Sequence, residues 1–123
     1  MIKRERVNLT IDVGVATGYT GLITGKIIAV QVNYPTNTCE VDLDTYGEQK
    51  SQKIMDLAAS NTDVTHYPRI LLQTNTGANI DTSDTEGGDV KKYGYFYVNG
   101  KILVSVASGT DTEVVIVDIL YEN

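Results

Sequence analysis

Tyr93-Gly94-Tyr95-Phe96-Tyr97-Val98-Asn99-Gly100-Lys101-Ile102-Leu103-Val104-Ser105-Val106 is the stretch that decides the fold class. Aromatic and β-branched residues dominate it, and such side chains suit a pleated, half-buried surface better than a helix. Asn-Gly between two apolar runs is the signature of a type I′ turn, whose two central residues need positive φ. The pair therefore predicts a tight hairpin. In that register Val98 faces Lys101, Tyr97 faces Ile102, Tyr95 faces Val104 and Tyr93 faces Val106. The three tyrosines then share a face with branched residues, which favours a core face over a stacking platform for sugars or bases.

Working outward, the chain after Ser108 to Thr112 resumes as a strand from Val114 to Glu122. It is apolar on both sides, with Val115, Val117, Ile119 and Tyr121 on one and Val114, Ile116 and Leu120 on the other. Such a strand is central in its sheet or lies at a subunit contact. Near the start, Val7, Leu9, Ile11 and Val13 alternate with polar residues, the period of a strand with one buried face. Ile28, Val30, Val32 and Tyr34 form a second run, and Cys39, Val41 and Leu43 a third. The turn signal Pro35-Thr36-Asn37 between these two predicts a hairpin. Residues 45–53 read as a polar loop. Lys53 to Ala59 fits a short helix or a strand, and its Leu, Met and Ala favour helix. Arg69 to Thr74 reads as a short strand and 74–89 as a long polar loop. The expectation is a single all-β domain, an antiparallel β-sandwich of jelly-roll or β-tulip-like type. It would have seven or eight strands, with one short helix near residues 53–59. The domain would span 7–123, behind a charged arm at 1–6. Gly25-Lys26-Ile27-Ile28 echoes Gly100-Lys101-Ile102-Leu103, too briefly to be called a repeat.

With 123 residues the chain is large enough for a core without disulfides or metals. Its formal net charge of −6 and lack of a basic stripe argue against nucleic acid and anionic membranes as partners. No run approaches the length of a membrane span, and no apolar signal core follows the charged start. The single cysteine, Cys39, cannot form an intramolecular disulfide, which favours a reducing compartment.

A search for chemistry finds little. His66 is the only histidine, and no nucleophile elbow accompanies it. Cys39 stands between apolar neighbours and carboxylates, the setting of a small buried hydrophobe and not of a reactive thiol. Asp81, Asp84, Glu86 and Asp89 crowd the long loop, but their spacing does not match a calcium loop, so no metal and no cofactor are expected. Two groups stand out as binding surfaces. Lys3, Arg4 and Arg6 place three of the ten basic residues in the first six positions, a candidate docking patch on an acidic domain. Val114, Ile116 and Leu120 form the candidate subunit interface, because little of the chain reads as helix that could cover them.

Three stretches carry a resemblance. They are Ile23-Thr24-Gly25-Lys26-Ile27-Ile28 with Tyr34-Pro35, Asp56-Leu57-Ala58-Ala59-Ser60-Asn61-Thr62-Asp63 with Tyr67-Pro68-Arg69, and the end from Tyr97-Val98-Asn99-Gly100-Lys101 to Tyr121-Glu122. In these, and in its whole-chain layout, the sequence resembles the head decoration, or cement, proteins of tailed bacteriophages. The resemblance implies a β-sandwich or β-tulip-like domain, often trimeric. Such a protein is made in the host cytoplasm, binds the major capsid protein on the outer surface of the virion, and stiffens the shell. It transfers no site residues, because none of the stretches is a site motif. A tail or baseplate component and a carbohydrate-binding module are the rival classes. The absence of Trp counts against the second.

Overall fold

The computed structural model describes residues 1–73, 75–78, 81–84, 88–91 and 93–123, with backbone alone for 81–84 and 88–91. The chain is all-β and antiparallel. The strands are β1 (Ile2–Thr10), β2 (Ala16–Tyr19), β3 (Ile23–Asn33), β4 (Cys39–Tyr46), β5 (Lys53–Ser60), β6 (Val64–His66), β7 (Ile70–Leu71), β8 (Asp81–Asp84), β9 (Gly88–Lys91), β10 (Tyr93–Gly94), β11 (Tyr97–Ala107) and β12 (Val114–Glu122).

Eight of these strands form one folded sheet, with β7–β10 and β8–β9 as separate two-stranded ribbons. The large sheet divides into two layers, β1–β12–β3–β6 and β2–β11–β4–β5, joined where β3 meets β11. The inner faces carry the core. Val115, Val117 and Ile119 of β12 oppose Ile102 and Val104 of β11 and Val41 and Leu43 of β4, all 0% exposed. The last strand lies between β1 and β3, the central place its double apolar character requires.

The Asn99-Gly100 hairpin does not form. β11 runs unbroken from Tyr97 to Ala107 and changes partner in the middle. Residues 97–100 pair with Gly100↔Ile23 to Tyr97↔Lys26 of β3, and residues 101–107 pair with β4. Gly100 is the corner between the layers. A Cβ there would stand 2.8 Å from the carbonyl oxygen of Tyr46. Gly25 does the same work in β3, which leaves β11 and continues along β12. A Cβ on Gly25 would overlap the backbone carbonyl of Glu122. The echo between Gly25-Lys26-Ile27 and Gly100-Lys101-Ile102 thus marks two strands turning equivalent corners, where glycine lets backbones approach.

Four further expectations are corrected. Residues 53–59 form strand β5, not a helix, because Ile54 is needed in the core at the sheet edge and tertiary packing overrides propensity. The runs flanking Pro35 do not pair with each other: β3 belongs to one layer and β4 to the other, so the turn crosses the sandwich. Residues 2–6 are no separate arm, since Ile2↔Glu122 through Arg6↔Asp118 extend the β1–β12 ladder. The polar segment 74–89 contains β8 and the start of β9, paired antiparallel; the side chains of its acidic cluster lie outside the described residues.

Candidate functional site

The two residue groups singled out in the sequence largely meet on one surface, the outer face of the β1–β12–β3–β6 layer. Alternation along β1 sends Arg4 and Arg6 outward, opposite Leu120 and Asp118 of β12, and Ile116 follows opposite Asn8. Ile116 and Leu120 are half-buried, and Val114 is 45% exposed. Lys3 has the other parity, opposite Tyr121, and does not join this face.

Asp118 organises the surface. Arg6 Nε donates to its Oδ1 at 2.7 Å and Arg6 Nη2 to its Oδ2 at 2.8 Å. Arg4 Nε lies 3.8 Å from Oδ2. The carboxylate is buried while both arginine side chains are about half exposed. The Arg6 hydrogen bonds, against the opposing effect of burial, hold the Asp118 carboxyl below its ordinary range, and Asp118 raises the Arg6 guanidinium in return. Much of the basic charge expected to be free for docking is therefore answered within the chain. Beside this pair a shallow groove of about 440 Å³ is lined by Arg6, Gln31, Asn33, Asp63, Thr65 and Ile116.

A second hollow, about 360 Å³, lies at the seam between β5 and β6, against Tyr34, Leu57, Ala58 and Val64. Ser60, Asp63 and His66 also border it. Among the described residues no hydrogen bond joins these three: Ser60 Oγ accepts from the Thr62 N–H at 3.1 Å and Asp63 Oδ1 from the Tyr34 N–H at 2.8 Å. Cys39 is fully buried, and burial raises its thiol pKa. On the outer face of β4–β5, Lys53 Nζ sits 3.2 Å from Asp44 and 3.9 Å from Asp42. Burial and a hydrogen bond with Asp56 raise the Asp42 carboxyl. Among the described residues, no group of His, Cys, Asp and Glu side chains is arranged to hold a metal ion.

The tyrosines expected in the core are outside. Tyr93, Tyr95 and Tyr97 are 58%, 37% and 70% exposed, while Phe96 and Val98 are buried. Without a turn at Asn99-Gly100, parity carries through the pair, and Phe96, Val98, Ile102, Val104 and Val106 face inward together. That uninterrupted run of even-numbered residues was the signal that could have found it. Tyr95 is held by Lys26, 4.8 Å from its ring centroid, and Arg69 at 4.2 Å. Tyr19 and Tyr46 meet on the other layer as a tilted pair, ring centroids 4.9 Å apart and planes at 59°, each half exposed.

No protein-family model matches the chain, and no curated protein matches it in sequence.

Proposed function

We propose that this chain acts by binding, as a structural protein of a tailed-bacteriophage virion. In this reading it decorates the outer capsid surface as a homotrimer and stabilises the shell through the major capsid protein. The observation that carries the reading is the outer face of β12. Ile116 and Leu120 flank the ion-paired Asp118 on a surface where β12 packs sideways on β1 and β3. Among the described residues no layer of the chain encloses Val114, Ile116 and Leu120, which remain partly exposed. Half-buried aliphatics around a satisfied charge pair suit the centre of a protein interface, where apolar side chains and arginine are enriched. The resemblance in sequence style supplies the partner. Mass-spectrometric copy number per virion tests it. A number comparable with that of the major capsid protein supports decoration. A low number, with density on the tail, supports the tail or baseplate alternative instead.

The exposed tyrosines favour a second reading, a carbohydrate-binding module, because solvent-facing rings can stack on sugars. Tyr97 and the Tyr19–Tyr46 pair are its candidate platform. A glycan array separates the two: specific sugar binding lost in Tyr97→Ala or Tyr46→Ala supports the module, and no binding leaves the capsid reading.

A further inference from the structure

The β1–β2 turn holds a valine where the fold has no use for one. Asp12 N donates to Val15 O at 2.9 Å and Val15 N to Asp12 O at 3.2 Å, so Val13 and Gly14 are the central pair of a two-residue hairpin loop. Both have positive φ, +53° and +78°, the pattern of a type I′ turn. Asn-Gly is the favoured pair there, because a β-branched side chain in the left-handed region crowds its own backbone. Val13 returns nothing through packing, being 81% exposed. Other groups hold the turn: Gly14 N donates to Asp111 Oδ1 at 2.9 Å, and Gly14 O accepts from Gly109 N at 3.0 Å. Ser108 and Thr112, the remaining non-glycine residues with positive φ among the described residues, belong to this same supporting turn. The non-glycine residues in the left-handed region are gathered at one end of the sandwich, and one of them holds an exposed side chain.

The surroundings say what kind of surface would receive it. Val15 and Val114, 54% and 45% exposed, lie at the same end. Valine is stiff at χ1, so a valine tip loses little side-chain freedom on docking. The loops 11–15, 34–38, 61–63 and 108–113 meet here, linked by Asn37 Nδ2 to Glu113 Oε1 at 3.1 Å and Asn61 Nδ2 to Thr36 O at 3.1 Å. They carry Asp12, Asp63, Asp111 and Glu113 and no Lys, Arg or His. The end is an apolar tip with an acidic collar.

We propose that the Val13 tip is a preformed plug that seats in an apolar pocket rimmed by Lys or Arg on the partner protein. The proposal rests on the capsid reading above, which makes that partner the major capsid protein. A convex tip needs a concave site, and the collar fixes the sign of its rim. Because the strain is already present in the free protein, the docked geometry is organised in advance.

Capsids purified from a phage lacking this gene, titrated with wild type, Val13→Asn and Val13→Gly, test the proposal. Asn suits the turn, so Val13→Asn is expected to raise Tm by about 4 °C. Both variants are expected to bind about tenfold more weakly, and wild-type affinity is expected to fall with added salt. Equal binding by wild type and both variants overturns the plug and leaves the capsid reading standing. Wild type that does not bind overturns both. A lower Tm for Val13→Asn overturns the premise that the valine does not serve the fold. If sedimentation velocity shows free wild type self-associating and Val13→Asn not, the occupied pocket is on a second copy, and the capsid pocket is overturned.

Discussion

Arg6 and Asp118 face each other across the β1–β12 ladder in a two-pronged pair, and the charge of each is balanced by the other. The pairing gives stability a defined pH dependence. Because the folded Asp118 carboxyl is held below its ordinary value, the unfolded state binds its proton first. Its contribution is complete above the unfolded aspartate value of about 3.9 and is lost as pH falls through the lower folded value. Asp42 works in the opposite sense. Burial and Asp56 raise its carboxyl, so its ionised form opposes folding at neutral pH and this penalty is relieved as pH falls through the raised value. Melting curves from about pH 7 to about pH 2.5 should show Asp118→Asn less stable than wild type at neutral pH, with a shallower loss in acid. Asp42→Asn should be more stable at neutral pH and converge with wild type in acid. An Asp118→Asn acid profile parallel to wild type would contradict the assignment.

The glycine corners give a second expectation. At Gly100 an added methyl meets the Tyr46 carbonyl, and at Gly25 it meets the backbone of Glu122. Both obstacles are strand backbone, which cannot swing aside as a side chain does. Gly100→Ala should cost about 1–3 kcal/mol in urea unfolding, and Gly25→Ala more. Wild-type midpoints for both would show that the strands have room to part at the corners.

Much of this architecture was legible because alternation reports burial directly. Val7, Leu9 and Ile11, Val41 and Leu43, and Val115, Val117 and Ile119 all lie inside, as their period-two spacing requires, whereas Val13 of the first run is 81% exposed because the chain turns there. The errors came from features whose meaning depends on distant partners. Asn99-Gly100 has the composition of a turn, but Gly100 is needed for its approach to Tyr46, which precedes it by half the chain. The pair forming a two-residue hairpin turn is Val13-Gly14, where composition gives little hint. Lys53 to Ser60 has helical residues, and only its pairing with β4 makes it a strand. For the candidate site, the outward row Val114, Ile116 and Leu120 was readable from parity. The Arg6–Asp118 pair was not, since nothing local places residue 6 opposite residue 118.

Calcium is expected to be without effect. Asp81, Asp84, Glu86 and Asp89 lack the spacing of a calcium loop. The β8–β9 ladder sets Asp84 opposite Gly88 and Ser83 opposite Asp89, so no two of these aspartates are cross-strand partners. Thermal unfolding in calcium and in chelator should superimpose. A large upward shift in Tm with calcium would reveal a site in this ribbon.

The N-terminal charges need a cleaner test than truncation. Removing residues 1–6 would strip half of β1 and leave Asp118 without Arg6 and Arg4. Arg4→Glu is milder, because Arg4 is the looser partner at 3.8 Å and its side chain is 56% exposed. If the outer face, and not the Val13 end, is what docks on the capsid, this variant should melt within a few degrees of wild type and bind capsids about tenfold more weakly. Unchanged binding would remove Arg4 from the docking face.

Ile116 and its neighbour Val117 separate the interface from the core most sharply. They are adjacent in β12 and point to opposite sides: Val117 is 0% exposed in the core, whereas Ile116 is half-buried outside, opposite Asn8 and Asn33. Val117→Asp places an unpaired charge among aliphatic side chains and should prevent folding. Ile116→Asp places its charge in the half-open groove that Arg6 also lines and should leave circular dichroism unchanged at a cost of about 1–2 kcal/mol. If the outer face is the trimer contact, light scattering should show wild type as a trimer and Ile116→Asp as a monomer that no longer binds capsids. The reason is that a lone carboxylate in a desolvated contact costs far more than in a half-open groove. A wild type that stays monomeric at high concentration would sink the trimer for the free protein. A folded Ile116→Asp that still forms trimers would move the subunit contact off this face altogether.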